Sequence, residues 1–308
     1  MKGFVTVIGL LALAAGCGDD GGGMGNGESN LGFVTPEEAT TAWSEENGVW
    51  VEQGAANWGC LGTPSSDSAT TVEVTLSGKI DDFQTGNIVP NAEIKVFDGA
   101  DVNNPFATAT ADANGDYTMT IPAGHTRLGF ELNADGQFRT LLLNQYLDPN
   151  EATQTLDMSS VSELTTNALP AFIGVTRTAG RGVLAGAMRD CDDNEVSGAV
   201  ATVSSVAGAP MHLQDDPSCD EDKPCTQTYY FSAGSTSLPV RHSQQINTNS
   251  DGLFMTIELP VAASAFLQVW GYTDAGSVGG DMTLLAEIPS PVLADTVVTF
   301  SLEPLRTN

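Results

Sequence analysis

The chain has 308 residues, enough for two domains that each bury a core. Its 39 acidic residues against 11 basic ones leave a formal charge of -28, which repels nucleic acid and anionic headgroups, so no nucleic-acid partner is expected. Such acidity is the ordinary mark of a solvated extracellular surface, with multivalent calcium capture as the alternative.

Met1 and Lys2 give a positive end, and Phe4 to Ala15 is an apolar run too short to span a bilayer. Leu13-Ala14-Ala15-Gly16-Cys17 then sets small residues before a cysteine. This start resembles a bacterial lipoprotein signal peptide, although Ala14 stands where that family prefers Leu, with Leu13 one place further back. The resemblance implies removal of residues 1–16 and a diacylglycerol on the Cys17 thiol. The membrane is then a partner through the lipid anchor, and the protein sits in the bacterial cell envelope, at the outer membrane or cell surface. An ordinary secretory signal with a chance cysteine is the alternative. Residues 17–34, which include Gly18-Asp19-Asp20-Gly21-Gly22-Gly23, read as a flexible polar tether. No strand precedes these glycines and no Lys-Ser or Lys-Thr pair follows, so they do not form a phosphate loop.

Residues 35–70 form an N-terminal segment and linker. Thr35-Pro36-Glu37-Glu38 carries a cap, a first-turn proline and a glutamate three places on, which predicts a short helix to about Asn47-Gly48. Trp50, Trp58 and Cys60 follow, and Trp58 beside Cys60 predicts a disulfide-pinned plug against the first β-domain.

From Thr71 the pattern becomes that of strands. Val72, Val74 and Leu76 alternate, as do Ile94 and Val96, and Asn114-Gly115 marks a hairpin that leads into Tyr117, Met119 and Ile121 before Pro122 and Gly124. Together with Gly78, Ile80, Asp81, Gly86, Pro90, Ala92, Thr110 and Asp112, these residues form an ordered set over roughly Val72 to Leu142. The set resembles the carboxypeptidase regulatory-like domain, a transthyretin-like or prealbumin-like β-sandwich. The resemblance implies a non-catalytic module with no catalytic residue to carry over. The first sandwich is assigned to residues 71–148 and a connecting segment to 149–181, where Ser160-Val161-Ser162-Glu163 offers a capping box for a short helix through Leu164, Leu169 and Phe172.

Residues 182–308 repeat the order of parts. Gly186 answers Gly78, Asp190 answers Asp81 or Asp82, Val196 to Val203 matches Pro90 to Val96, and Asn249-Ser250-Asp251-Gly252 echoes the earlier turn. The expected fold class is therefore all-β, with two tandem Ig-like or transthyretin-like antiparallel sandwiches. An insert at about 207–245 interrupts the second, longer than a structureless loop should be. It holds an acidic loop with Cys219 and Cys225, then Tyr229 and Tyr230 in a strand-like run, which makes these tyrosines candidates for partner binding. With Cys17 lipidated, four cysteines remain and three pairings are open. Cys219 with Cys225 and Cys60 with Cys191 is the favoured set. A zinc site is the alternative, but no Cys-x-x-Cys pair exists.

Little here points to catalysis. His125, His212 and His242 show no metal-ligand spacing, and no Gly-x-Ser-x-Gly elbow is present, so no catalytic residue is assigned and no cofactor is expected. Asn247, Asn249 and Asp251, with Glu258 at the twelfth position, have the oxygen spacing of a calcium loop, but extended flanks favour a plain turn with at most weak calcium binding. The sequence supports a non-enzymatic, lipid-anchored envelope protein offering loops to a protein or glycan. A cell-surface, glycan-active hydrolase with a carboxylate pair and a passive structural spacer are the alternatives.

Overall fold

The computed structural model describes residues 35–209, 227–232, 237–241 and 244–307. The expected N-terminal helix is instead a hairpin of β1 (Thr41–Glu46) and β2 (Val49–Ala55). Asn47 at φ 54° and Gly48 at φ 81° form its two-residue turn, in which both central residues need positive φ. The capping signal at Thr35 is local and weak, whereas the Asn-Gly turn and the aromatic and β-branched residues around it favour strands that a neighbouring sheet then pairs.

The first repeat contains β3 (Val74–Asp82), β4 (Glu93–Asp98), β5 (Ala107–Thr110), β6 (Asp116–Ile121), β7 (Arg127–Asn133), β8 (Gln137–Tyr146), β9 (Thr153–Thr155) and β10 (Met158–Ser162). One sheet places β6 antiparallel to β3, with β9 and β10 running parallel along the other edge of β3. The facing sheet runs β5-β4-β7-β8. Strict alternation in β6 sends Tyr117, Met119 and Ile121 inward and Asp116, Thr118 and Thr120 outward. They meet Val74, Leu76, Ile80, Ile94, Val96 and Phe130 in a closed apolar core. The first sandwich thus takes strands from beyond residue 148. Because β10 runs beside β3 as far as Ser160, that residue does not cap a helix. Ser162 does, its hydroxyl accepting from Thr165 N, and α1 spans Glu163–Phe172.

The second repeat contains β11 (Gly182–Met188), β12 (Glu195–Ser197), β13 (Val200–Ser204), β14 (Gln227–Phe231), β15 (Pro239–Val240), β16 (Leu253–Leu259), β17 (Ala262–Gly271), β18 (Thr283–Val292) and β19 (Thr296–Leu302). One sheet is β13-β17-β18, and the other runs β15-β14-β16-β11-β19. The likeness of the two repeats extends to single hydrogen bonds. Ile80 N donates to Gly115 O at 2.9 Å, and Met188 N donates to Gly252 O at 3.1 Å. Ala111 N donates to Ala92 O, and Thr248 N donates to Ala199 O. Gly115 and Gly252 both have positive φ, and a Cβ on either would fall within 2.8 Å of a backbone oxygen of the strand they cross.

The repeats are not separate beads. β19 lies parallel to β8, pairing Thr296 with Arg139 through Phe300 with Leu143, so a single sheet crosses from one repeat into the other. Leu141 and Leu143, with Phe97, belong to the second repeat's core, whereas Leu142 packs against the first. α1 closes the remaining face of the second repeat's larger sheet. Leu169 and Ile173 meet Met255, Ile257 and Val297 there.

Gly78→Ala tests this packing, because its Cβ would sit 2.1 Å from Leu156 O, in the link between β9 and β10. The substitution is expected to lower unfolding free energy by about 1–3 kcal/mol in a denaturant titration, the range of mutations that force a main-chain shift. An unchanged midpoint would contradict the close approach of β3 to residue 156.

Candidate functional site

The structure redirects the tyrosine expectation. Neighbouring strand positions point to opposite faces, and β14 is covered on both, by the second repeat's core on one side and by the cluster under α1 on the other. Tyr230, 3% exposed, enters the second repeat's core, where its hydroxyl accepts from Ala201 N at 3.1 Å and burial pushes its pKa up. Tyr229 is fully buried on the helix side of the same sheet. Neither offers a surface to a partner. The insert's second half is structural, because it adds strands to the sheet.

Two of the calcium-spaced residues, Asn249 and Asp251, already use side-chain oxygens on nearby protein donors. Asn247 O accepts from Gln245 Nε2 at 2.8 Å, and Asn249 Oδ1 accepts from Ser250 N at 2.8 Å. Asp251, 5% exposed, accepts from Leu253 N through Oδ1 at 3.1 Å and from Ser237 Oγ through Oδ2 at 2.5 Å. Glu258 turns elsewhere, its Oε1 accepting from Thr178 N at 2.9 Å. Among the described residues no group of three His, Cys, Asp or Glu side chains is placed to hold a metal. The first-repeat turn follows the same logic. Asp112 Oδ1 accepts from Asn114 N and Asp116 N, and these bonds hold its carboxyl below the usual range.

Two further acids act as clips. Asp82 Oδ1 accepts from Thr85 N at 2.9 Å and its Oδ2 from Ser162 N at 3.0 Å, tying the loop after β3 to the cap of α1. Asp190 is its counterpart. Its Oδ1 accepts from Asp192 N and Asn194 N, and its Oδ2 from Asn57 N at 2.9 Å. Beside that clip a disulfide joins Cys60 to Cys191. Trp58 and Leu61 pack on the second repeat's core, not on the first β-domain as the sequence suggested. Trp58 Nε1 donates to Thr40 Oγ1 at 2.8 Å, Gly62 N donates to Leu305 O at 2.9 Å, and Arg306 Nη1 donates to Thr63 Oγ1 at 2.7 Å. The segment is therefore a strap that fastens both ends of the described chain to one repeat.

Cys17, Cys219, Cys225, His212 and His242 lie outside the described residues. His125 stacks on Phe106 with ring centroids 4.0 Å apart, and its Nδ1 lies 2.6 Å from Asp98 Oδ1. A groove of about 380 Å³ opens nearby, between the loop after β4 and the β17–β18 sheet. Ala100, Asp101, Val102, Ser264, Pro291 and Leu293 are among its lining residues. Asp101 is the sole titratable group in that lining, so the groove lacks the facing carboxylates that the hydrolase alternative needs. Nothing in the sequence marked it, because it arises where the two repeats meet.

No family model matches the chain, and no curated protein matches it. Among solved structures it is similar to the TIE protein of Bacillus anthracis, at 10% identity and a TM-score of 0.25 over 89% of this chain and 48% of that one. The chain thus spans about half the length of that protein. The shaft pilin SpaA of Lactobacillus rhamnosus GG shows 10% identity and a TM-score of 0.21, covering 77% of this chain and 98% of that one. A streptococcal ancillary pilin shows 14% identity and a TM-score of 0.22, covering 76% and 63% respectively. Likenesses this faint bear on neither activity nor partner.

Burial pushes the Asp251 pKa up to about 6 from an ordinary 3.8, against the opposing hydrogen bonds from Ser237 and Leu253. A folded-state pKa raised above the unfolded one means that Asp251 contributes stability fully below its unfolded pKa, a contribution lost as pH rises through the folded one. Across pH ~4 to ~7 the wild type should lose roughly 2–3 kcal/mol more than Asp251→Asn, measured by urea unfolding. Parallel pH profiles for the two proteins would refute this. The Cys60→Ser, Cys191→Ser double variant should lose up to about 4–5 kcal/mol, because the bridge closes a long loop. A loss below about 1 kcal/mol in the same titration would mean that the strap holds without its covalent bond.

Proposed function

We propose that the chain is a non-enzymatic, lipid-anchored protein of the bacterial cell envelope that presents a rigid β-sandwich body to a protein or glycan partner. In this reading residues 1–16 are a lipoprotein signal peptide, Cys17 carries the lipid, residues 17–34 are the tether and residues 35–70 fasten it to the body. The sandwiches that follow are carboxypeptidase regulatory-like modules, one over about 71–148 extended by β9 and β10, the other over 182–308. Cys219 and Cys225 close a small ring in the insert.

The observation that carries the reading is the strap. Directly after the tether the chain forms a hairpin on the second repeat and is locked there by the Cys60–Cys191 bridge. An anchor at residue 17 is thereby coupled to a body whose two repeats share a sheet and whose buried acids Asp82 and Asp190 hold backbone. A disulfide of this kind fits an oxidising compartment outside the cytosol. Among the described residues no helix is long and apolar enough to cross a membrane.

Membrane fractionation of cells expressing the full chain tests the anchor. The wild type is expected in the membrane fraction and Cys17→Ser in the soluble one. A Cys17→Ser protein that stays with the membrane would refute lipid anchoring at that residue.

A further inference from the structure

β12, β1 and β2 form a small sheet with two unlike faces. Residues directly opposite on antiparallel strands share a face. Trp43 therefore stands between Glu195 on β12 and Glu52 on β2, and Glu45 stands beside Trp50. The opposite face carries Ala42 and Val196, both buried in the second repeat's core. What remains outward is two indoles set among three carboxylates. Trp43 is fixed in place by its Nε1, which donates to Ser197 Oγ at 2.9 Å. Arg189 answers Glu195 at 3.2 Å, but among the described residues no ion pair reaches Glu45 or Glu52.

The same sheet ends in an edge. Among the described residues β2 has a strand partner on one side only, and Val49 and Val51 on it are 63% and 37% exposed. An edge strand in this state is a template for another extended chain, whose backbone supplies the affinity while alternate side chains supply the specificity.

We propose that the outer edge of β2, with the Trp43–Trp50 face beside it, binds an extended basic segment of a partner protein as a fourth strand, with Lys or Arg at alternate positions. Charge complementarity selects this occupant. Alternate side chains of an added strand fall on the face of Trp50 and Glu52, where a cation meets an indole and a carboxylate together. The chain's charge of -28 steers cations toward it and repels a second copy of the same charge. The proposal rests on the partner-binding part of the function above and not on the anchor.

The test uses the full chain carrying Cys17→Ser, titrated with a short peptide of alternating Lys and Thr and followed by tryptophan fluorescence and calorimetry. Binding is expected, weakened about tenfold or more by the Glu45→Gln, Glu52→Gln double variant, by Trp50→Ala and by raised salt. It should be lost when alternate peptide nitrogens are methylated, which keeps the charge and removes the strand pairing. Unchanged thermal midpoints show that the variants fold. The proposal falls if the peptide does not bind, if the variants or the methylated peptide bind as well as the parents, or if self-association or a neutral oligosaccharide occupies the face instead. Membrane fractionation is read separately, so failure of the anchor leaves this result intact.

Discussion

The structure depends on β8 being covered on both faces and paired on both edges. On one edge β7 joins it antiparallel within the first repeat, and on the other β19 joins it in parallel from the far end of the chain. Leu142 faces the first core, while Leu141 and Leu143 face the second. A strand buried on both sides cannot slip by one residue without driving apolar side chains into the wrong core, so the register of the whole sheet is fixed there. Parallel pairing also commits the chain to a long detour. The whole of the second repeat lies in sequence between β8 and the β19 strand that pairs with it.

The buried polar groups serve the same end. Asp82 and Asp190 sit at equivalent places where the first strand of each repeat ends, each holding its own loop with one oxygen and a distant segment with the other. In the first repeat that segment is the cap of α1, which roofs the second repeat's sheet. In the second it is the strap that carries Cys60. An acid already satisfied by several backbone donors has little left to offer a metal or a substrate. Asp251 extends the pattern at a cost, because its burial is only partly offset by Ser237 and Leu253.

The repeat was legible in the sequence, since Gly78, Asp82, Ala92 and Gly115 recur as Gly186, Asp190, Ala199 and Gly252 in the same order. Those positions are set by backbone geometry, which leaves local signatures. Four things are harder to see. The run Leu141-Leu142-Leu143 announces a strand covered on both faces but cannot name the strand that covers it. The Thr35 capping motif points to a helix that ends at Asn47-Gly48, whereas a two-residue Asn-Gly turn between strand-forming residues is the stronger signal and makes a hairpin. Tyr229 and Tyr230 lie in a run that reads as a strand, but nothing local shows that this strand joins the second repeat's sheet and buries both rings. The Trp43–Trp50 face was hidden for a related reason. Its residues meet only once the hairpin forms and docks on β12.

The central claim is that the two sandwiches form one cooperative body, and hydrogen exchange through a denaturant series tests it most directly. All four tryptophans, Trp43, Trp50, Trp58 and Trp270, report on the hairpin, strap and second repeat, so fluorescence alone would miss the first repeat. Mass-resolved exchange of peptides spanning Val74–Asp82 and Leu253–Leu259 compares the two cores in the same molecules. Both segments should lose protection together, at one denaturant concentration. Loss of protection in one while the other remains closed would contradict a shared sheet and leave two independent domains.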